Sequence, residues 1–468
     1  MSNTLVMKFG GTSVGSAPAI RQLVAITRAA QADWPRVIVI VSAMSGVTDT
    51  LLKGAAQAAA GDESVPDRLA EQLRARHNAT LDELAGEGQA ADARAVIDGL
   101  LGEFHALCHA VRVLGEASPR ALDTIASFGE RMSAPLVTAA LNAAGLPAAA
   151  VDSARVVVTD AVYQSATPDM DATAARAAEV LEPLLAAGRV PVVTGFIGAT
   201  PAGVVTTLGR GGSDFSAAIF GVALGAAEVW IWTDVNGVMT ADPRIVPEAR
   251  TLPVLTFREI SELAFYGAKV LHPKTIRPVV ERRAALWVKN TFNPGGPATR
   301  VIPDNGHAAG SVRSVTAFRG QCILTLEGRG MLGIPGIAAR TFAAVARTGT
   351  SVAMISQASS EQSICFVVPC PSTAAVVRAL EDEFRLELAR RDIDSITSSP
   401  ESAVVTVVGA GMKHTPGIAG KIFSALGQAG VNVAAIAQGS SECSISLVVA
   451  AADADAAVRA VHTLVQTD

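Results

Sequence analysis

Apolar positions along the chain fall into two kinds of run. Short, unbroken runs occur at 37–41 (Val-Ile-Val-Ile-Val), 190–194 (Val-Pro-Val-Val-Thr) and 229–233 (Val-Trp-Ile-Trp-Thr). Runs of this length without polar alternation suit strands buried on both faces of a parallel sheet. By contrast, residues 50–145 carry alanine, leucine and periodically spaced apolar residues, and are predicted to be mostly helical. The first strand, ending Val6-Met7-Lys8-Phe9, runs into Gly10-Gly11-Thr12-Ser13 and then a helical pattern from about Pro18. Strand, helix, strand, loop and helix in this order predict an α/β sheet. Ligands of such sheets bind beyond the carboxyl ends of the strands. Lys8, Gly10, Gly11, Ser42 and Thr48 all stand at such ends.

The pattern changes after a Gly/Pro/Asn-rich stretch at about 293–311, which reads as a linker. Residues 323–368 and 404–449 then repeat each other at a fixed offset: 409 − 328 = 81 and 438 − 357 = 81. Gly328-Arg329-Gly330-Met331 matches Gly409-Ala410-Gly411-Met412, and Pro335-Gly336-Ile337-Ala338 matches Pro416-Gly417-Ile418-Ala419. Gln357-Ala358-Ser359-Ser360-Glu361 matches Gln438-Gly439-Ser440-Ser441-Glu442. A constant offset over this span marks an internal repeat. Each copy predicts a strand, a glycine loop, a helix beginning at its proline, two strands around Q-x-S-S-E and a further helix.

Composition narrows the partners. With 468 residues the chain has room for two to four domains. The net charge of −5 comes without any basic run, which argues against nucleic acid or an acidic membrane surface. Neither a signal peptide at Met1 nor an apolar run of membrane-spanning length is present, so a soluble, cytoplasmic protein is expected. The five cysteines, Cys108, Cys322, Cys365, Cys370 and Cys443, form no C-x-x-C and are odd in number, so buried free thiols are expected. His105 and His109 share a helix face but lack H-E-x-x-H, and an amphipathic helix accounts for them.

Candidate chemistry sits in the loops. Gly10-Gly11 admits close approach of a ligand to backbone N–H groups, and Lys8 adds a cation beside them. A plain strand-to-helix turn with a surface lysine fits the same residues. This is not a Walker A loop, since Ser16 follows Gly15 where lysine is needed, and no G-x-G-x-x-G occurs here. Arg210, held between glycines in Leu208-Gly209-Arg210-Gly211-Gly212-Ser213-Asp214, suits bidentate capture of a carboxylate. Ser213 and Asp214 are good helix caps. Ser127 to Ser133 reads alone as a helix start with a surface ion pair, Asp234 to Arg244 as a loop, and Lys269 as a solvated helix residue.

Lys8-Phe9-Gly10-Gly11-Thr12-Ser13-Val14 strongly resembles the opening of the aspartokinases, in the amino-acid-kinase superfamily. Four further strings match in the family's order: Phe128-Gly129-Glu130, Leu208 to Asp214, Thr233 to Arg244, and Phe265 to Pro273. The family's tyrosine in the third of these is Met239 here. The repeats resemble paired ACT domains, and most closely those of aspartokinase–homoserine dehydrogenase fusions. The resemblance implies an α/β, three-layer amino-acid-kinase fold with a central, mostly parallel sheet, followed by two α+β ACT (βαββαβ) domains. The expected boundaries are 1–295 for the kinase domain, 296–311 for a linker, 312–398 for the first ACT domain and 399–468 for the second. The implied reaction is ATP + L-aspartate → 4-phospho-L-aspartate + ADP, the entry step to lysine, methionine, threonine and isoleucine, with Mg²⁺ carried on the ATP phosphates.

By that resemblance Lys8 and Asp214 are catalytic, Lys8 stabilising the moving phosphoryl group and Asp214 organising Lys8, Lys269 or Mg²⁺. Arg210 takes the α-carboxylate of aspartate and Glu130 its α-ammonium, with Ser42, Thr48, Gly212 and Ser213 around the substrate. Lys8, Gly10, Gly11, Thr233, Asp234, Met239, Arg244, Lys269 and Val270 line the nucleotide. Gln357 and Gln438, with Ile337, Ile418 and Asn432, are expected to bind an amino-acid effector, threonine before lysine, in a dimer or tetramer assembled through the ACT domains. The alternatives are kinase action on another amino-acid carboxylate and a catalytically silent amino-acid sensor. Homoserine dehydrogenase activity is not expected from these residues.

Overall fold

The computed structural model describes residues 3–265, 278–279, 282, 284–303, 312–357, 362–412, 415–439 and 443–465. The chain forms two compact units. One comprises Met1–Val238, Thr251–Phe257 and Lys269–Pro303; the other comprises Met239–Arg250, Arg258–Ala268 and Asp304–Asp468.

Among the described residues the first unit has ten strands: β1 (Thr4–Phe9), β2 (Arg36–Val41), β3 (Ala148–Val151), β4 (Val190–Thr194), β5 (Ile197–Ala199), β6 (Val205–Thr207), β7 (Glu228–Thr233), β8 (Val254–Thr256), β9 (Ala285–Asn290) and β10 (Thr299–Ile302). Eight of them form one sheet in the order β3-β4-β2-β1-β7-β9-β10-β8, parallel except where β9 meets β10, while β5 and β6 form a separate hairpin. The unbroken apolar runs are thus inner strands, as their lack of alternation requires. β10 lies inside the stretch read as a linker. Four residues between Pro297 and Pro303 carry too short a pattern to stand out from turn-rich surroundings.

The helices of this unit are α1 (Ala17–Asp33), α2 (Val47–Ala59), α3 (Val65–Leu84), α4 (Glu87–Leu114), α5 (Pro119–Ala143), α6 (Met170–Ala186) and α7 (Gly212–Ala223). α1 to α5 contribute to a single apolar cluster that also takes Leu5, Met7 and Phe9 of β1. Strand alternation therefore turns Lys8, between Met7 and Phe9, toward the opposite face, where α7 packs.

The second unit takes the segment 239–250 and most of α8 (Phe257–Phe265) from the region matched to the kinase motifs, then carries both repeats. Its strands are β11 (Ser314–Glu327), β12 (Met354–Gln357), β13 (Ser363–Pro369), β14 (Ser395–Ser398), β15 (Ser402–Val408), β16 (Ala435–Gln438) and β17 (Ser444–Ala450), with helices α9 (Ile337–Arg347), α10 (Thr373–Glu383), α11 (Arg385–Arg390), α12 (Ile418–Gln428) and α13 (Ala454–His462). The fourteen-residue β11 serves both repeats. Residues 314–318 pair with β15, the register shifts, and residues 321–327 pair with β13, with β14 on the other side. The first strand of the second module is thus supplied before the first module begins. Helices α9 and α12 start two residues beyond the expected prolines. Gly336 (φ 96°) and Gly417 (φ 89°) are their left-handed N-caps, which a residue with a Cβ adopts only at a cost.

The cysteine expectation is corrected. Cys322 and Cys370 are joined by a disulfide, while Cys108, Cys365 and Cys443 keep their thiols. Cys322 on β11 faces Val368 of β13, which brings Cys370 alongside; spacing in the sequence carried no sign of this pairing. Among the described residues, no helix is long and apolar enough to cross a membrane.

Candidate functional site

Lys8 is 8% exposed at the centre of the sheet, and its Nζ lies 2.6 Å from Oδ1 of Asp214. Asp214 reaches it from the first turn of α7. The cap of α7 is Gly211 (φ 72°), with no side-chain hydrogen bond, so Ser213 and Asp214 do not cap this helix. Asp214 sits where a negative charge is favoured by the helix dipole and by Lys8 together.

The Gly10-Gly11 turn is laced to the loop after β2. Ser42 N donates to Phe9 O (3.1 Å) and Ser45 N to Gly11 O (3.2 Å). A Cβ on Gly11 would stand 3.1 Å from Ala43 O, so the space beside this glycine is taken by the chain's own loop after β2. The Gly10 amide, expected beside the phosphoryl group, instead donates to Trp232 O (3.2 Å). Its neighbour on the other inner strand, β7, takes it first.

Glu130 is not at a helix start and has no surface ion pair. It lies mid-way along α5, and α5 presses on the 43–48 loop through Gly129: a Cβ there would meet Ala43 Cβ at 2.7 Å and Thr48 Oγ1 at 3.3 Å. That approach lets the Ala43 amide donate to the Glu130 carboxylate, while Oε2 is buried with no hydrogen-bond partner. Burial pushes the Glu130 carboxyl up to about 8, against the Ala43 hydrogen bond and the nearby Lys8 charge, which pull it down.

Arg210 is exposed on the turn between β6 and α7. Gly195 and Gly212 close this region: a Cβ on Gly195 would meet Ser213 Cβ at 2.8 Å, and one on Gly212 would meet Phe196 Cδ2 at 2.5 Å. Phe196 has φ 68°, rare for a residue with a Cβ and a mark of conformational strain. No sequence signal pointed to Phe196.

Thr233 ends β7, and its Oγ1 donates to Asp234 Oδ1 at 3.2 Å. Met239 and Arg244 belong to the second unit. The Arg244 guanidinium donates to Asp242, two residues away, and this holds the Asp242 carboxyl below the usual range. Lys269 and Val270 lie outside the described residues. In the first repeat, Gln357, at the end of β12, borders an open cavity of about 320 Å³ with Met331, Ile334, Ile337 and Ile364. In the second repeat, Gln438 and Asn432 are exposed and Ile418 is buried.

Comparison with known proteins decides the class. The model of the amino acid kinase family matches residues 3–290, and that of the ACT domain matches 324–384 and 405–464. The chain belongs to the amino acid kinase family. Within it, the bifunctional aspartokinase/homoserine dehydrogenase 1 of Arabidopsis thaliana is 36% identical over 98% of this chain, and the chain spans about half that relative's length (50%). Aspartokinase 1 of the same plant is 32% identical over 98% of this chain and 79% of its own. Among solved structures, E. coli aspartokinase III in complex with aspartate and ADP, in the R-state, superposes with a TM-score of 0.82 at 30% identity, covering 98% of this chain and 99% of the other. The same enzyme in complex with lysine and aspartate, in the T-state, gives 0.79 at 31%, covering 99% and 100%. The fold of both units is therefore that of the aspartokinases: a mostly parallel kinase sheet followed by ACT modules.

Proposed function

We propose that this chain is an aspartate kinase, transferring the γ-phosphoryl group of ATP to the β-carboxylate of L-aspartate. The observation that carries the reading is Glu130. A buried carboxylate with an unpartnered oxygen, in the field of Lys8, asks for a cation. The α-ammonium of an amino acid supplies one. Arg210, on a glycine-framed turn, then takes the α-carboxylate.

The acceptor is itself a carboxylate with an ordinary pKa near ~3.9, so it needs no general base. Asp214 is not required to remove a proton; its role is to hold Lys8 where negative charge accumulates on the phosphoryl oxygens. Bound Mg²⁺ would neutralise charge on the ATP phosphates, carried mostly by phosphate oxygens and water. Thr233, Asp234, Met239 and Arg244 serve the nucleotide, and the resemblance adds Lys269 and Val270.

The first ACT module reads an amino-acid effector in the cavity beside Gln357. The amide beside apolar walls fits a small amino acid, and the resemblance ranks threonine first and lysine second. The test is acyl-phosphate formation from ATP and aspartate, trapped with hydroxylamine, with and without each effector. Product that threonine suppresses supports both assignments. Absence of product from folded protein with Mg²⁺ present overturns the kinase reading.

A further inference from the structure

One buried carboxylate in the first unit belongs to none of the roles above. Asp123 lies on α5 and is 1% exposed. Its oxygens accept hydrogen bonds from the Gln164 amide (2.9 and 3.1 Å), from the Thr207 amide (2.9 Å) and from Thr207 Oγ1 (2.8 Å). Thr207 ends β6 and leads directly into the Arg210 turn, which closes with Gly212 N donating to Gly209 O (2.9 Å). Gln164 bounds the same turn from the side. A Cβ on Gly209 would lie 2.8 Å from the Gln164 carbonyl oxygen, and Gln164 itself has φ 67°. A non-glycine residue is held in that region only when its surroundings over-determine it. The double contact of its amide with Asp123 is such a restraint. One carboxylate thus fixes both the strand that leads into the turn and the wall it rests on.

The register along α5 gives this a purpose. Asp123 and Glu130 are seven residues apart, two helical turns, so they share a face about 10 Å apart along the axis. We infer that Asp123 is a positioning residue that sets Arg210 relative to Glu130, and so tunes the site to substrates bearing an α-ammonium and an α-carboxylate together. This rests on the reading of Arg210 and Glu130 as the partners of those two groups. α5 would then act as a ruler, carrying the ammonium partner at one point and the anchor of the carboxylate partner at another.

The test is steady-state kinetics of the full chain with Asp123→Asn, Arg210→Ala and the double variant. Asparagine keeps the volume of aspartate, but its amide nitrogen cannot accept, so bonds to Thr207 or Gln164 are lost. The expected result is a rise of about tenfold or more in KM for aspartate, with KM for ATP within about twofold of the parent. In the Arg210→Ala background, Asp123→Asn should add nothing further to KM for aspartate. Should Asp123→Asn fail to fold, Thr207→Val removes one of the four bonds and is expected to shift KM for aspartate in the same direction. An unchanged KM for aspartate in Asp123→Asn, where Arg210→Ala raises it, overturns the positioning role alone. Equal rises in both KM values, persisting in the double variant, reduce Asp123 to a structural residue. No effect of Arg210→Ala itself removes the underlying reading of Arg210, and the positioning role falls with it.

Discussion

Burial sets the Glu130 carboxyl to about 8, so near pH 7 the side chain is mostly protonated and neutral. An ammonium partner requires the carboxylate. Binding aspartate below about pH 8 must therefore displace a proton, and KM for aspartate is expected to fall about tenfold per pH unit between pH 6 and 8, then level off. Glu130→Gln should raise KM and abolish this slope. The same shift acts on stability. The carboxyl rises from 4.5 to about 8 on folding, so over that window the folded chain binds more protons than the unfolded one. Stability is present below pH 4.5 and is lost as pH rises toward 8. A Tm that falls across this window in the parent but not in Glu130→Gln checks the sign; parallel curves would show that Glu130 is not the group responsible. Lys8 offers a different readout. Lys8→Ala removes a positive charge from the point where phosphoryl charge develops, and turnover should drop by about 10²–10³-fold with the fold intact by circular dichroism. Near-parent turnover would remove Lys8 from the mechanism.

At the scale of elements, the site depends on how closely α5 lies against the loop after β2. Gly129→Ala places a Cβ within 2.7 Å of Ala43 Cβ, so helix or loop must shift. Overpacking of this kind costs about 1–3 kcal/mol, measurable by urea unfolding. Because the shift draws Glu130 from the Ala43 amide, KM for aspartate should rise with it; a stability loss with unchanged KM would show that the approach serves packing alone. Much of this element-level plan was legible. Unbroken apolar runs marked β2, β4 and β7 because central parallel strands are buried on both faces. What failed were features settled by contacts remote in sequence. Glu130 looked exposed because local pattern gives no depth within a helix. Asp214 looked like a cap because capping is a local rule, and Gly211 with Lys8 overrode it. Asp123 gave no signal at all, since its partners lie 41 and 84 residues away. The Cys322–Cys370 bond depended on strand register, which the repeat pattern did not specify.

For the whole molecule, the chain passes from the first unit to the second within the segment 233–244, proposed above to serve the nucleotide. Thr233 and Asp234 belong to the first unit, Met239 and Arg244 to the second. The segment carrying Met239 and Arg244 is built into the second ACT module: Ala241 and Val246 join its apolar cluster, Val315 N donates to Thr240 O (2.9 Å), and Ser314 Oγ donates to Met239 O (3.0 Å). Ser314 and Val315 open β11, whose far half runs to the loop bordering the Gln357 cavity. One strand therefore joins the Gln357 cavity to the backbone of the segment carrying Met239 and Arg244. Ser42, Thr48, Glu130 and Arg210, by contrast, all lie in the first unit. On the proposed assignments, an effector that biases the ACT modules is expected to act on Met239 and Arg244 through this strand. The inhibiting amino acid is thus expected to raise KM for ATP several-fold and change KM for aspartate less, in line with coupling of about 1–3 kcal/mol. Gln357→Ala should abolish the effect by removing the amide at the cavity. By reciprocity of binding, saturating nucleotide should weaken effector affinity by the same factor, which calorimetry with a non-hydrolysable ATP analogue can measure. An effector that raises KM for aspartate alone would overturn this coupling, which runs through the bonds of Ser314 and Val315 to the Met239–Thr240 backbone.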